Sequence, residues 1–384
     1  MAWLQVYDPA ATRQDFRKAA NAEFDSVRIF LRWEDAQPAP SRIDSATLNR
    51  LVDVADAAVE AGITLIVTLF VGHMSGANWI PAWATGGAEG DHRFRVISAG
   101  RAGQGVGIRN WYADAAITAA QERLAATTAA ALAGHAGVWA WDLGNENSNC
   151  TIPSSRACGE QWLERMTSAI RYRDPGRPIT IGLHMEDLEQ DRQIGPAEAA
   201  RWCDFVSMHG YPIYADWAAG PTDHELLPFL AEMTRWLAGD ADILFEEFGL
   251  PTTRPGAPTN PMLVSETAAA TYTGHALDNL RAAGCTGALL WCFSDYASQL
   301  DAKPPFDRAV HERSFGLWRH DGSPKPAVAE VTARAGLPYL PPPSRDAWLD
   351  IDPETFLRNR RSHLARLYHR YRGRNGEDST ATRP

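Results

Sequence analysis

A chain of 384 residues with 45% hydrophobic composition can bury a large core, and this length suits either two domains or one α/β barrel with insertions. The net charge is −10, and Arg and Lys are scattered until the C-terminal region, which argues against nucleic-acid binding by the body of the chain. No apolar run reaches transmembrane length and the start lacks a basic-then-apolar signal, so no membrane partner is expected; the chain as given reads as cytoplasmic, with secretion open if a further segment precedes it.

Residues 1–6 are too short to assign. Asp8-Pro9 joins an N-cap to a proline at the first helical position and predicts a helix to Ala22. Ser26–Leu31 reads as a strand. In Ser45–Ala61, Leu48, Leu51, Val52, Ala55 and Val59 recur at helical spacing, and Gly62 closes the helix. Ile63–Val71 is almost continuously apolar, as a strand buried in a parallel sheet requires. Gly72–Asn110 is rich in Gly, Trp and Pro and reads as a long loop, a feature that is usually functional in compact domains. Helices follow over Ala113–Ala133, Gly159–Tyr172, Glu198–Cys203, Asp223–Ala238 and Ser265–Ala283. Strands alternate with them over Val138–Glu146, Pro178–Leu183, Phe205–His209, Ile243–Glu247 and Gly287–Phe293.

Strands alternating with helices predict a parallel sheet with crossovers, and the repeat fits a (β/α)8 TIM barrel. No Gly-x-Gly-x-x-Gly follows the first strand, which counts against a dinucleotide-binding fold. A barrel needs an eighth strand, and only Ala2–Val6 is left to supply it. Either that stub is strand one, or the first strand is truncated or missing; the second is favoured, because Val6-Tyr7-Asp8-Pro9 leaves almost no loop. The expected organisation is a barrel over 1–336, a Pro-rich linker and C-terminal helical extension over 337–372, and a disordered tail over 373–384. The last helix, Asp352 to about Tyr371, carries Phe356, Leu364, Leu367 and Tyr368 as an apolar stripe to pack on the barrel.

Five cysteines, an odd number without a Cys-x-x-Cys pair, suggest neither a zinc site nor a disulfide framework, although Cys150 and Cys158 are close enough in sequence to bridge. Fourteen tryptophans are many; at loop ends they offer the flat apolar faces that sugars stack on. Trp33, Trp79, Trp83 and Trp111 are each expected to be packing, with one or two of them at the cleft.

In a barrel the site lies at the C-terminal ends of the strands. Standing there are Arg28, Arg32, Trp33 and Glu34; then His73; Asn145 and Glu146; His184 and Glu186; His209 and Tyr211; Glu246 and Glu247; and Trp291 and Asp295. The apolar run Val138–Leu143 ends abruptly in Gly144-Asn145-Glu146, as a buried strand does when it surfaces at a site. Glu146 and the Glu246-Glu247 pair end strands three steps apart around a barrel. Two carboxyl groups, one protonated and one ionised, are what glycoside hydrolysis needs. A cation such as Arg28 would keep the nucleophile ionised.

Trp141-Asp-Leu-Gly-Asn-Glu146, His209-Gly-Tyr211, Phe245-Glu-Glu-Phe-Gly249 and Trp291 stand in the order of the retaining (β/α)-barrel glycoside hydrolases. The sequence resembles glycoside hydrolase family 5, the cellulase and β-mannanase family, over residues 24–295, with a weaker match at His311–Gly316. The resemblance implies that Glu146 is the acid/base, Glu247 the nucleophile, and Asn145 the partner of the sugar 2-hydroxyl. It implies that Tyr211 hydrogen-bonds the nucleophile, His209 lines the same subsite, Trp291 is the sugar platform, Arg28 braces the nucleophile and His73 touches the bound sugar. No metal or cofactor is implied, and the partner is an oligosaccharide or glycoside. The reaction so implied is cleavage of a β-mannoside or β-glucoside, exo or endo, with retention.

Other readings compete. Glu246 is the alternative nucleophile, Arg28 can be a structural ion pair and His73 a loop histidine that caps backbone. Glu34 and Glu312 are more naturally structural than substrate contacts. The whole chain can instead be a degenerate glycan-binding barrel without turnover. A metal-dependent barrel hydrolase is disfavoured, because no His-x-His ends a strand.

Overall fold

The computed structural model describes residues 4, 6–86, 93–99, 101–103, 106–254 and 260–377. The chain divides into two compact units. The first comprises Met1–Leu183, Glu198–Phe205 and Ala297–Arg313; the second comprises His184–Ala197, Val206–Tyr296 and Ser314–Pro384.

The first unit begins with α1 (Pro9–Asn21), whose first amides, those of Ala10 and Ala11, are capped by the Asp8 carboxylate. Strand β1 (Ser26–Arg32), the short α2 (Trp33–Ala36), α3 (Ser45–Ala61) and β2 (Thr64–Val71) follow. Asp44 caps α3, and Gly62 ends it at φ 73°, a left-handed turn that glycine adopts without strain. The segment expected as a loop holds a small sheet of β3 (His73–Met74), β4 (Ala77–Trp79), β5 (Arg95–Ser98) and β6 (Arg101–Gly103). Strands of two to four residues are too short to show alternation, which is why the sequence reads as loop. Then come α4 (Ala115–Ala131), β7 (Val138–Asn145), α5 (Arg156–Arg171) and β8 (Ile179–His184), the last residue of which belongs to the second unit. Strands β1, β2, β7 and β8 are parallel neighbours in that order, with Arg28 opposite Ile66, Thr68 opposite Asp142, and Asn145 opposite Gly182. Trp33, Trp111 and Trp162 are fully buried, and Trp33 makes edge contacts with Trp83 and Trp111; these tryptophans fill space between elements.

Helix α6 (Met185–Glu189) opens the second unit, and α7 (Pro196–Trp202) starts in it. Strand β9 (Val206–His209), α8 (Leu226–Leu237), β10 (Ile243–Phe248), α9 (Glu266–Ala282) and β11 (Gly287–Leu290) repeat the strand–helix alternation. Strands β9, β10 and β11 are again parallel, with His209 opposite Glu247 and Phe248 opposite Leu290. Strand β11 stops before the expected Phe293. The chain leaves the ladder at Trp291, whose amide still donates to the Phe248 carbonyl at 2.7 Å.

Helix α10 (Ala327–Thr332) packs on α9, and the expected last helix is two: α11 (Pro353–Arg358) and α12 (Arg360–Glu377). The break is at Asn359, φ −150° and ψ 64°. The stripe Phe356, Leu364, Leu367 and Tyr368 is buried as expected, with α12 against α6 and α8. Two buried hydroxyl–carboxylate bonds reinforce it: Tyr368 donates to Asp223 at 2.5 Å and Tyr371 to Glu232 at 3.2 Å. Helix α12 runs past Gly373, where a disordered tail was expected to begin; residues 378–384 lie outside the described ones.

Of the proposed first strand, residues 2, 3 and 5 lie outside the described residues, and Leu4 and Val6 are in turns. Cys150 and Cys158 are unbridged. No described helix is long and apolar enough to cross a membrane.

A buried lysine holds the segment after β11 in place. Lys325 Nζ lies 2.7 Å from Asp295 Oδ1, 2.8 Å from Thr252 Oγ1 and 3.0 Å from the Ser314 carbonyl. Burial pushes the Asp295 carboxyl up and the Lys325 ammonium down, so each needs the other to stay charged. Lys325→Ala strands the carboxylate and is expected to lower stability by about 3–5 kcal/mol, read from urea midpoints. The deficit should shrink as pH falls, because protonation of Asp295 removes the stranded charge. A deficit independent of pH would mean that lost packing alone is responsible.

Candidate active site

In the first unit the groups at the end of β7 are built on a buried ion pair. Asp142, fully buried, accepts from Arg28 Nη2 at 2.6 Å and Nε at 3.1 Å, and from Thr68 Oγ1 at 2.7 Å. Its other oxygen takes the amides of Gly144 and Gly182, each at 3.1 Å. One carboxylate thus ties together β1, β2, β7 and β8, with Arg28 paired to it. Asp142 is not among the residues expected at the site. An acid inside an apolar strand, with an arginine on a neighbouring strand, was the available signal. Removing either partner of such a pair strands a buried charge.

Two residues further on, β7 ends. Asn145 Nδ2 donates to the His73 carbonyl at 2.8 Å, and its Oδ1 is buried without a hydrogen-bond partner in the structure, an acceptor ready for an incoming hydroxyl. Glu146 sits at φ 49° and ψ 48°, a left-handed conformation that costs a non-glycine residue about 1–2 kcal/mol. Such strain persists where the surroundings over-determine it, commonly at functional sites. Its amide donates to the Gly182 carbonyl at 3.1 Å, and its carboxylate accepts from Asn149 Nδ2 at 2.9 Å. His73 Nε2 lies 3.8 Å from the same carboxylate. His73 is buried on β3, ring to ring with Phe94 at 4.3 Å, rather than standing in an open loop. Cys150 follows closely; burial, with the nearby Glu146 charge, pushes its thiol up, so it is an inert neighbour.

In the second unit the groups stand at the ends of β9, β10 and β11. Tyr211 Oη donates to Glu247 Oε1 at 2.6 Å. His209 lies between two acids, with Nδ1 3.8 Å from Glu247 and Nε2 3.5 Å from Glu246. Of the two, Glu246 has a fully enclosed side chain, while Glu247 keeps 9% exposure. Glu247 is therefore the more exposed of the pair. The glycines beside these residues have steric causes. A Cβ on Gly210 would come within 2.6 Å of Leu230, and one on Gly249 within 2.3 Å of the Trp291 carbonyl. Gly249 lets the chain after Glu247 lie directly against Trp291, which is half-buried at the end of β11. Phe315 meets the Tyr211 ring edge-on at 5.7 Å.

Other strand-end residues have structural partners. Glu34 accepts from the Ala99 amide at 2.7 Å, and Arg32 pairs with Asp35. Glu186 pairs with Arg192 at 2.6 Å, and His184 faces Asp187 across 3.8 Å. Asp295 belongs to Lys325, and Glu312 is buried beside His311.

Parallel strands alternating with helices, with acids and aromatics at their C-terminal ends, are the pattern of the (β/α)-barrel glycoside hydrolase class. The fold agrees with that of GH5_18 from Streptomyces cattleya, solved in complex with GlcNAc: TM-score 0.80, 98% of this chain and 88% of that one covered, 23% identity. An exo-β-1,4-mannosidase from Opitutaceae bacterium strain TAV5 is 26% identical, with TM-score 0.70, over 87% of this chain and 57% of its own. The model of the family Cellulase (glycosyl hydrolase family 5) matches residues 1–296, and the chain belongs to that family. A putative mannan endo-1,4-β-mannosidase 5 of Oryza sativa subsp. japonica is 25% identical over 75% of this chain; the chain spans 64% of the length of that curated relative.

Proposed function

We propose that the chain is a retaining β-mannosidase acting from the chain end of its substrate. The observation that carries the reading is the 2.6 Å hydrogen bond from Tyr211 to Glu247, a reachable carboxylate held in one orientation at the end of β10. Glu247 attacks the anomeric carbon while Glu146 gives its proton to the leaving oxygen. The glycosyl–Glu247 ester is then hydrolysed by a water that Glu146, now a carboxylate, deprotonates. Asn145 Oδ1 accepts from the 2-hydroxyl, and Trp291 lies under the reacting sugar. This chemistry requires the two carboxyl groups to stand about 5–5.5 Å apart on either side of the bond. The mannoside preference is supported by the β-mannosidic names of the rice and Opitutaceae relatives.

Action from the chain end is supported within the first unit by the join between the β3–β6 sheet and the segment 297–313. Arg95 Nη1 reaches Asp307 at 2.9 Å and Arg95 Nη2 the Pro305 carbonyl at 3.1 Å, and a Cβ on Gly76 would touch Ala309. Two loops tied together make a wall, and a wall turns a groove into a pocket. Arg95→Ala is expected to raise KM for an aryl β-mannoside about threefold to fivefold, as loss of one part-exposed ion pair allows. It should also raise the rate on longer manno-oligosaccharides relative to the aryl substrate. An unchanged ratio would remove the wall from the account of specificity.

The test of the main reading is a panel of nitrophenyl β-glycosides. The β-mannoside is expected to be turned over fastest, and the released sugar to keep the β configuration by proton NMR. Sugar binding without turnover of any member would make the chain a glycan-binding barrel instead.

A further inference from the structure

We propose that helix α12 is a brace of the active site: Tyr368 and Arg361 are positioning residues that fix the loop carrying Tyr211, and through Tyr211 the carboxylate of Glu247. This rests on Glu247 being the nucleophile. The helix lies beyond residues 1–296, over which the family's model matches, yet it is bonded to the segment 211–225 between β9 and α8. Every residue involved belongs to the second unit.

Tyr211 starts that segment, with its hydroxyl on Glu247 at 2.6 Å. From there the backbone runs in short turns. The Tyr214 amide donates to the Tyr211 carbonyl at 3.1 Å, the Ala215 amide to Pro212 at 3.2 Å and the Ala218 amide to Ala215 at 3.1 Å. The next amide, that of Ala219, donates to Asp223 Oδ2 at 2.6 Å, and the same oxygen accepts the Tyr368 hydroxyl at 2.5 Å. Burial, together with the Asp223 carboxylate, pushes the Tyr368 hydroxyl up, so it keeps its proton and donates. Two further contacts hold the middle of the segment. Arg361 Nη2 lies 2.8 and 2.6 Å from the two oxygens of Asp216. The Trp217 ring stands edge-on to Tyr368 at 5.2 Å, and its Nε1 donates to Glu189, at the end of α6, at 2.8 Å.

Short turns alone leave a loop among the least stable parts of a fold; side chains that tie it down set its shape. Here the ties from α12 are a buried hydroxyl–carboxylate bond and an exposed ion pair. The Tyr211 hydroxyl meets Glu247 only while the loop keeps that shape, and a small misplacement of a group that orients a reactant slows the reaction more than it weakens binding. The brace therefore acts on kcat rather than on KM.

The experiment measures kcat and KM on an aryl β-mannoside, or on the aryl β-glycoside that the wild type prefers, well below the unfolding temperature of every variant. Tyr368→Phe keeps the ring against Trp217 and removes only the hydroxyl; it is expected to lower kcat about fivefold with KM little changed. Arg361→Ala should cost about twofold to threefold, and Arg361→Lys should recover part of it. Arg366→Ala, on the same helix but paired with Asp350 at 2.7 Å instead of with the loop, should leave kcat within about 1.5-fold. The deciding readout is the double variant: Tyr368→Phe should cost nothing further once Tyr211→Phe is in place. An equal loss in both backgrounds, a loss matched by Arg366→Ala, or full activity in both Tyr368→Phe and Arg361→Ala overturns the brace. If Tyr368→Phe does not fold, Arg361→Ala, at an exposed position, takes its place in the double variant. A wild type that turns over no aryl glycoside overturns the Glu247 reading and the brace together, whereas normal wild-type turnover with a costly Tyr211→Phe and equal losses in both backgrounds overturns only the brace.

Discussion

Glu247→Gln is expected to lower kcat on an aryl β-mannoside on the order of 10⁴-fold, the scale of losing a reacting group that works in concert with others. The substitution is nearly isosteric. The amide oxygen can still accept the Tyr211 hydroxyl that now lies 2.6 Å from Oε1, so the β10 end should keep its shape. What disappears is the anionic oxygen that forms the bond to the anomeric carbon. Thermal unfolding should therefore move little while turnover collapses. Two controls sharpen the result. Glu246→Gln alters the neighbour with no exposed side-chain surface, on the far side of His209, and should cost far less in kcat. Tyr211→Phe removes the orienting hydroxyl and should cost about 10–100-fold, as one catalytic-site hydrogen bond does. If Glu246→Gln proves the more damaging of the two glutamine variants, the nucleophile has been placed one residue too late.

The sequence made some of this legible and concealed the rest for identifiable reasons. Element boundaries were readable where a cap announced them: Asp8-Pro9 for α1, and Gly62 for the end of α3. Helix α5 begins three residues before the expected Gly159, because Ser155 caps it by accepting from the Cys158 amide. The glutamates at the ends of β7 and β10 could be found because apolar strands terminated in acids. The roles of their supports could not. Asp142 is an inner residue of β7 whose partners Arg28 and Thr68 come from strands more than seventy residues away, and only strand pairing reveals them. The left-handed turn at Glu146 leaves no trace in composition, since only glycine advertises such a conformation. Asn78 falls in the stretch read as a loop, because the sheet that orients it is built from strands too short to read.

Glu146→Ala provides the second large effect, and its form matters more than its size. Without the acid, a poor leaving group must depart as an oxyanion, so kcat/KM on a phenyl β-mannoside is expected to fall about 10²–10⁴-fold. A dinitrophenyl leaving group needs no proton, so attack by Glu247 should persist and the glycosyl-enzyme should accumulate, because water now lacks its base. Azide should then restore turnover. It is already anionic, attacks the anomeric carbon without giving up a proton, and releases the Glu247 carboxylate. The product expected by proton NMR is the β-mannosyl azide, formed by two inversions. An α-azide would mean that azide displaces the aryl group directly and that Glu247 forms no covalent intermediate. Restored activity without any azide adduct, or an equal loss on both leaving groups, would remove Glu146 from proton transfer. Its strained backbone and its bond to Asn149 would then have to be explained by a role in binding.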